Sequence, residues 1–326
     1  MRAVVAREYG SPESFAIEDL PTPQPGSGEV RIAVRRVGVS FVDGLIAAGR
    51  YQIKPPLPFT PGTEYAGVVD AVGEGVTRLK VGDRVSASGL VGSMAEMTIV
   101  SADTPLVLSD AMSFEDGSVF RVSYATAHYA LVYRGDLKAG ETVLVLGAGG
   151  AVGVAAIQVA KALGARVIGA ASSEAKRALV LDAGADEAVD PRAADYRDRL
   201  KALTGGKGVD VVVDPVGGLA TEAAFRALGW KGRLLVIGFA AGEIPRLPTN
   251  LALLKGGDLR GVDIRQFGIY EPEASARNVE TILELYASGG LRPKIARRYP
   301  FEEFAQAMQA AASGELAGRI ILEVSE

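Results

Sequence analysis

The run Glu141-Thr-Val-Leu-Val-Leu-Gly-Ala-Gly-Gly-Ala-Val-Gly-Val-Ala-Ala-Ile-Gln-Val-Ala-Lys161 decides how the chain folds. Residues 143–146 are a short apolar run with the length and β-branching of a buried strand. Gly147, Gly149, Gly150 and Gly153 follow, and then an Ala/Val/Ile run long enough for a buried helix. A strand, a glycine turn and a helix in this order aim unpaired backbone N–H groups at a pyrophosphate. The glycines let the chain turn tightly and let a phosphate come close. The spacing reads G-x-G-x-x-x-G or G-x-x-G-x-x-G, so the turn by itself is a weak dinucleotide signal.

Working outward, strands are expected at 143–146, 166–170, 209–214, 234–238 and near 259–264, and helices at 151–163, 174–183, 219–228 and 251–255. Near-continuous apolar strands alternating with helices predict a doubly wound α/β domain with a parallel sheet. Residues before about 120 read differently. Short Val/Ile-rich runs at 2–6, 30–37, 66–72, 84–87 and 97–100 are separated by Pro and Gly, which predicts a compact β-rich unit with one short helix at 42–48. Ser113-Phe-Glu-Asp116 fits a helix N-cap with an acid three residues on. After about residue 267 the expected order is a helix at 273–288, a strand at 294–299, a helix at 301–312 and a last strand at 319–324.

Composition removes several classes of chemistry. The 326 residues are enough for two domains. Net charge is −4, so no basic footprint for nucleic acid or an anionic membrane is present. No run is apolar enough to span a bilayer, no secretory leader is read at the N-terminus, and a cytoplasmic location is expected. There are no cysteines and one histidine, His128. Thiolate zinc sites and disulfides are therefore excluded, and no metal ligand is expected. His128 lies in a helical run with no Gly-x-Ser-x-Gly elbow in the chain, and it reads as structural.

The loop after the second strand gives the glycine turn its meaning. NAD sites carry an Asp or Glu about 20 residues after the turn, for the ribose 2′-hydroxyl. Here the loop is Ala170-Ala-Ser-Ser173, followed by Lys176 and Arg177. Hydroxyls and a lysine would hold a 2′-phosphate by charge-assisted hydrogen bonds, which an acid would repel. This favours NADPH and argues against adenosylmethionine. Two further loops, Asp214-Pro-Val-Gly-Gly218 and Gly238-Phe-Ala-Ala-Gly242, fall at expected strand ends, where open α/β sheets bind ligands.

These residues resemble the zinc-free medium-chain dehydrogenase/reductases, the NADPH:quinone oxidoreductases related to ζ-crystallin. The likeness runs through Gly38-Val-Ser-Phe-Val-Asp43, Gly49-Arg-Tyr51, Pro58-Phe-Thr-Pro-Gly-Thr-Glu-Tyr-Ala-Gly67, Gly82-Asp-Arg-Val85, Tyr124-Ala-Thr-Ala127, the glycine turn and Asn250-Leu-Ala-Leu-Leu-Lys255. It implies a GroES-like β-rich catalytic domain at 1–122, a Rossmann doubly wound domain at 123–267, and a return to the catalytic domain at 268–326. Where zinc-dependent relatives place a Cys and a Gly-His-Glu string, this chain has Ser40 and Gly62-Thr-Glu64; Glu64 is expected to bond backbone or an arginine. The resemblance implies that Phe41, Val42 and Asp43 line the nicotinamide end, and that Thr126 contacts the nicotinamide or its ribose. Gly150, Ala151 and Val152 would hold the pyrophosphate, and Ser172, Ser173 and Lys176 the 2′-phosphate. Gly238, Phe239, Ala240, Ala241, Ile264 and Arg265 would border the nicotinamide. The chain departs from the family pattern at Ala151, where a glycine is usual, and at Ser40, Pro191 and Glu315, where Asn, Tyr and a basic residue occur. Arg177 or Arg192 is available to compensate.

Without a Lewis acid, a conjugated acceptor suits hydride addition better than a simple alcohol or ketone. The expectation is an NADPH-dependent reductase of a small quinone, with an enone or 2-alkenal reductase as the alternative and an NADPH-binding protein of little turnover as a third reading. Tyr51 is the first candidate to donate to the developing oxyanion and Ser40 the second. The last strand near 259–264 would be a sheet edge unless paired, and the resemblance implies that such edges meet across a two-fold axis in a homodimer.

Overall fold

In the computed structural model, which describes residues 1–325, the chain divides into two compact units. One is Met1–Val122 with the chain from Ile295 onward, and the other is Ser123–Lys294.

The N-terminal part of the first unit holds β1 (Arg2–Val5), β2 (Ala16–Asp19), β3 (Glu29–Val39), α1 (Phe41–Ala47), β4 (Glu64–Val72), β5 (Arg84–Ser88), β6 (Met97–Ser101) and β7 (Leu106–Val107). It leads into α2 (Phe114–His128), where Ser113 Oγ accepts from Asp116 N at 3.0 Å as the sequence predicts, and the division between the units falls inside this helix. β3 is the spine. Val30, Ile32 and Val34 alternate into the core while Arg31 turns outward to Asp70. The doubled Arg35-Arg36 marks a bulge: Val34 pairs with Gly67 and Arg36 with Ala66, so Arg35 is the extra residue. Beyond it Val37 and Val39 are buried.

The second unit contains β8 (Thr142–Val145), α3 (Ala151–Ala162), β9 (Arg166–Ala170), α4 (Glu174–Asp182), β10 (Glu187–Val189), α5 (Tyr196–Leu203), β11 (Val209–Asp214), α6 (Leu219–Ala227), β12 (Leu228–Val236), α7 (Asn250–Lys255), β13 (Asp258–Gly261), α8 (Ile264–Tyr270) and α9 (Pro272–Ala287). Its six strands are all parallel, in the order β10-β9-β8-β11-β12-β13. This is the doubly wound order, and it reverses between β8 and β11, where such sheets bind ligands. Leu144, Ile168, Val212 and Leu234 sit at the centre of its core.

The chain then supplies β14 (Ile295–Pro300), α10 (Phe304–Ser313) and β15 (Arg319–Glu323) to the first unit. The larger sheet of that unit runs β14-β15-β3-β4-β5-β7, with β6 also on β3. Both units are thus α/β overall, one β-rich and one doubly wound.

Several features differ from the sequence expectation, among them β2, β7 and α8, which have no counterpart in it. The return to the first unit comes at Ile295 rather than 268. Helix α9 stays with the second unit because its buried Asn278 and Ile282 pack there, Asn278 bonding Ala125 and His128. Strand β10 and helix α5 were not foreseen: β10 is three residues long, and α5 buries only Tyr196 and Leu200 within a charged run. β12 begins at Leu228 instead of 234, which ends α6 early at Ala227.

Candidate cofactor and acceptor sites

In the first unit the candidate residues gather around the start of α1. Ser40 is its N-cap. Its backbone N and its Oγ both donate to Asp43 Oδ2, at 2.7 and 2.8 Å. Asp43 is only 1% exposed, so its carboxylate holds the helix start and is not turned out to line a ligand, as the sequence had suggested. Burial pushes its carboxyl above the usual range, against the pull of Ser40, Thr63 and Arg319. Phe41 and Val42 are half-buried, and Val42 and Tyr51 pack on the apolar core. The Tyr51 hydroxyl makes no hydrogen bond among the described residues.

Glu64 starts β4 and is buried, with Oε1 accepting from Val122 N at 2.9 Å and Oε2 paired with Arg319 at 3.2 Å. That is the backbone-and-arginine role expected of it. Burial raises its carboxyl, opposed chiefly by the Arg319 charge. Removing one partner of so buried a pair would strand the other charge.

In the second unit the loops that follow the strands are tied to one another. Ala148 N donates to Ala170 O, Ala171 N to Val189 O and Leu146 N to Val213 O, each at 3.0 Å. Ala240 N donates to Pro215 O at 3.2 Å and Ala241 N to Val216 O at 2.8 Å. Asp214, which the sequence reading did not single out, builds this edge. Its Oδ1 accepts from Val216 and Gly217 N at 2.9 Å, and its Oδ2 from Thr221 Oγ1 at 2.5 Å. An Asp-Pro at a strand end was the available signal.

Gly150 caps α3 without a side chain, so the first-turn amides of Ala151 and Val152 carry the donors expected at an uncapped helix start. Gly147 has φ +56°, and a Cβ on Gly153 would stand 2.3 Å from Gly147 O. Across the turn lies Lys176: a Cβ on Gly149 would meet its Cβ at 2.9 Å and its Cγ at 3.0 Å. Ser173 caps α4, its Oγ accepting from Lys176 N at 3.3 Å, and the Ser172 carbonyl accepts from Arg192. These are small residues, backbone amides and cations with no acid in the loop, and they fit a phosphate-rich dinucleotide.

The other expected residues are more dispersed. Gly238 is half-buried, Phe239, Ala240 and Ala241 are exposed, and all four follow β12. Ile264 and Arg265 open α8, whose cap Asp263 accepts from Arg265 N and Gln266 N at 3.0 Å. Thr126 is buried within α2. Near it His128 Nδ1 lies 2.6 Å from Asn278 Oδ1, while Asn278 Nδ2 donates to Ala125 O at 3.0 Å. Asn278 Oδ1 is an acceptor, so His128 donates from Nδ1 and serves the packing of α2 on α9, as the sequence suggests. Gln158 was also missed; it joins Tyr124 Oη to the backbone of Arg292.

Comparison with known proteins places both units. Residues 26–110 match the alcohol dehydrogenase GroES-like domain and residues 151–282 the family described as zinc-binding dehydrogenase. A quinone oxidoreductase of Sus scrofa is 36% identical over 309 residues, covering 94% of this chain and 92% of that protein. An Escherichia coli quinone oxidoreductase in complex with NADPH is similar with TM-score 0.90 and 29% identity, covering 99% of this chain and 100% of that one. A mycobacterial protein in complex with NADPH is similar with TM-score 0.91 and 32% identity, over the same shares of the two chains.

Burial lowers the His128 pKa below its ordinary 6.5, with the Asn278 hydrogen bond pulling the other way. The unfolded chain therefore takes up this proton first, and stability is lost as pH falls through 6.5 toward the folded value. Since the chain has one histidine, a single imidazole NMR resonance should titrate with a midpoint below 6.5. A midpoint at or above 6.5 would contradict the buried placement.

Proposed function

We propose that this chain, which belongs to the quinone oxidoreductase family of medium-chain dehydrogenase/reductases, is an NADPH-dependent oxidoreductase that reduces small quinones without a metal. The observation that carries the cofactor assignment is the second unit's loop edge, with uncapped amides of α3 beside Lys176 and no acid between Ala170 and Ser173. The metal-free assignment rests on residue types: Ser40 and Thr63 stand where zinc-dependent members have Cys and His, and the chain has no cysteine to substitute.

Bound NADPH supplies a hydride. The chain's own contribution is binding and orientation. Gly150, Ala151 and Val152 offer backbone N–H groups to the pyrophosphate, and Ser172, Ser173 and Lys176 take the 2′-phosphate. Phe41, Val42, Thr126, Gly238, Phe239, Ala240, Ala241, Ile264 and Arg265 are read as surrounding the nicotinamide end, and Asp43 as fixing the helix that carries Phe41 and Val42. A quinone taking up hydride at one end of its conjugated system develops negative charge on oxygen, and a proton from solvent completes the hydroquinone. Tyr51 is the better donor to that oxygen. The Ser40 hydroxyl proton is already given to Asp43, whereas the Tyr51 hydroxyl has no partner among the described residues. A cytoplasmic location goes with this reading and is open to cell fractionation.

A homodimer is also proposed. β13 is the outer strand of its sheet, Leu259 on it is 57% exposed, and Leu253 and Leu254 of α7 are exposed as well. An outer strand flanked by exposed leucines favours pairing with a second copy.

Oxidation of NADPH should proceed with a panel of quinones, and Tyr51→Phe should lower kcat on the order of 10²-fold with Ser40→Ala affecting it much less. Turnover of enones alone would replace the quinone assignment by a double-bond reductase, and tight NADPH binding with no acceptor used would leave a binding protein. Light scattering after size exclusion should give twice the 33.9 kDa chain mass, and Leu259→Asp should shift it toward one. A wild-type monomer rejects the dimer.

A further inference from the structure

We propose that Arg192 is the residue by which this chain discriminates a 2′-phosphate; the inference rests on the NADPH assignment above. The hydroxyls of Ser172 and Ser173 can each donate to a phosphate oxygen, Ser173 while its Oγ accepts from Lys176 N as the cap of α4, but as neutral donors they give weaker bonds than a cation does. Lys176 adds a point charge beside the glycine turn but cannot grip a planar face of phosphate oxygens as a guanidinium does. Two arginines are near, and the structure separates them.

Arg177 is committed inward. Its NH1 donates to Ala171 O at 3.0 Å and to Asp190 Oδ2 at 3.1 Å, and its side chain is only 28% exposed. Arg192 is 70% exposed, yet it is not adrift. Its backbone N donates to Asp190 Oδ1 at 2.9 Å, and the preceding Pro191 restricts the chain on that side. Its NH2 donates to the Ser172 carbonyl, which brings the guanidinium onto the loop after β9. Its Nε stands 3.6 Å from Asp190 Oδ1, a looser contact than Arg177 makes with the same carboxylate. A guanidinium has five N–H donors, so holding Ser172 O leaves donors for a phosphate at that loop. Asp190 thus sets both arginines: it neutralises Arg177 most directly and positions Arg192. The loop after β10 thereby supplies, from the next residue, the contact that Pro191 cannot make.

The test is calorimetric binding of NADPH, NADH, 2′,5′-ADP and 5′-AMP to wild-type protein, Arg192→Gln, Arg192→Lys and Lys176→Gln. The wild type should bind NADPH and 2′,5′-ADP more tightly than NADH and 5′-AMP. Arg192→Gln should weaken both 2′-phosphate ligands roughly tenfold, equivalent to about 1.4 kcal/mol, and leave NADH and 5′-AMP within about twofold. Arg192→Lys should recover part of the loss by charge alone. If the wild type prefers NADPH and Arg192→Gln keeps the full preference, with Lys176→Gln alone abolishing it, the role of Arg192 is overturned and the cofactor assignment stands. If the wild type binds NADH as tightly as NADPH, both fall.

Discussion

The second unit depends on one close approach, in which the first turn of α3 lies against the carbonyl of Gly147. A side chain at 153 would stand 2.3 Å from that oxygen, and Gly147 itself has φ +56°. Only glycine meets both demands at low cost. The approach brings the start of α3 to the end of β8, at the point where the strand order reverses toward β11. The loops after β8, β9, β11 and β12 then meet one another through backbone hydrogen bonds. The constraint also explains why Ala151 is acceptable where the family has glycine. Residue 151 is the first residue of an ordinary helix, and the steric demand falls on 147, 149 and 153.

The first unit solves a different problem. Two acids, Asp43 and Glu64, share one buried region of it close to Arg319. Each is given a local job: Asp43 closes the capping box of α1, and Glu64 anchors the Val122 amide and the Arg319 guanidinium. Buried carboxylates survive only with such partners. The Ser40 hydroxyl is thereby spent on Asp43, whereas the Tyr51 hydroxyl has no partner among the described residues.

Much of this was legible in the sequence, for identifiable reasons. Long apolar strands, the glycine turn and the Ser113 cap are local signals, and each lies where its pattern indicates. The role of Glu64 followed from the family resemblance, and that of His128 from its place in a helical run of a chain with no Gly-x-Ser-x-Gly elbow. What escaped the sequence is what needs distant contacts. Helix α9 looked like part of the first unit until Asn278 was found bonded to Ala125 and His128. Asp43 matched a motif that suggested a ligand wall, but its neighbour at 40 claims it. Nothing in the order of residues tells that Arg177 turns to Asp190 while Arg192 reaches Ser172; that follows from the packing of the β9 and β10 loops.

The pairing of β15 with β3 has a consequence for how the molecule is made. Ile320 lies opposite Val39 and Leu322 opposite Val37, so the spine of the first sheet waits for a strand that emerges after the whole of the second unit. The second unit is one continuous segment, Ser123–Lys294, and has all its strands well before then. During synthesis the β-rich unit is therefore a sheet without β14 and β15, in which residues 36–39 of β3 lack one of their partners, attached to a neighbour that can already be folded. Long-range closures of this kind are slow and prone to misassembly. The order of emergence thus makes the β-rich unit the late step and the one most in need of protection from other nascent chains.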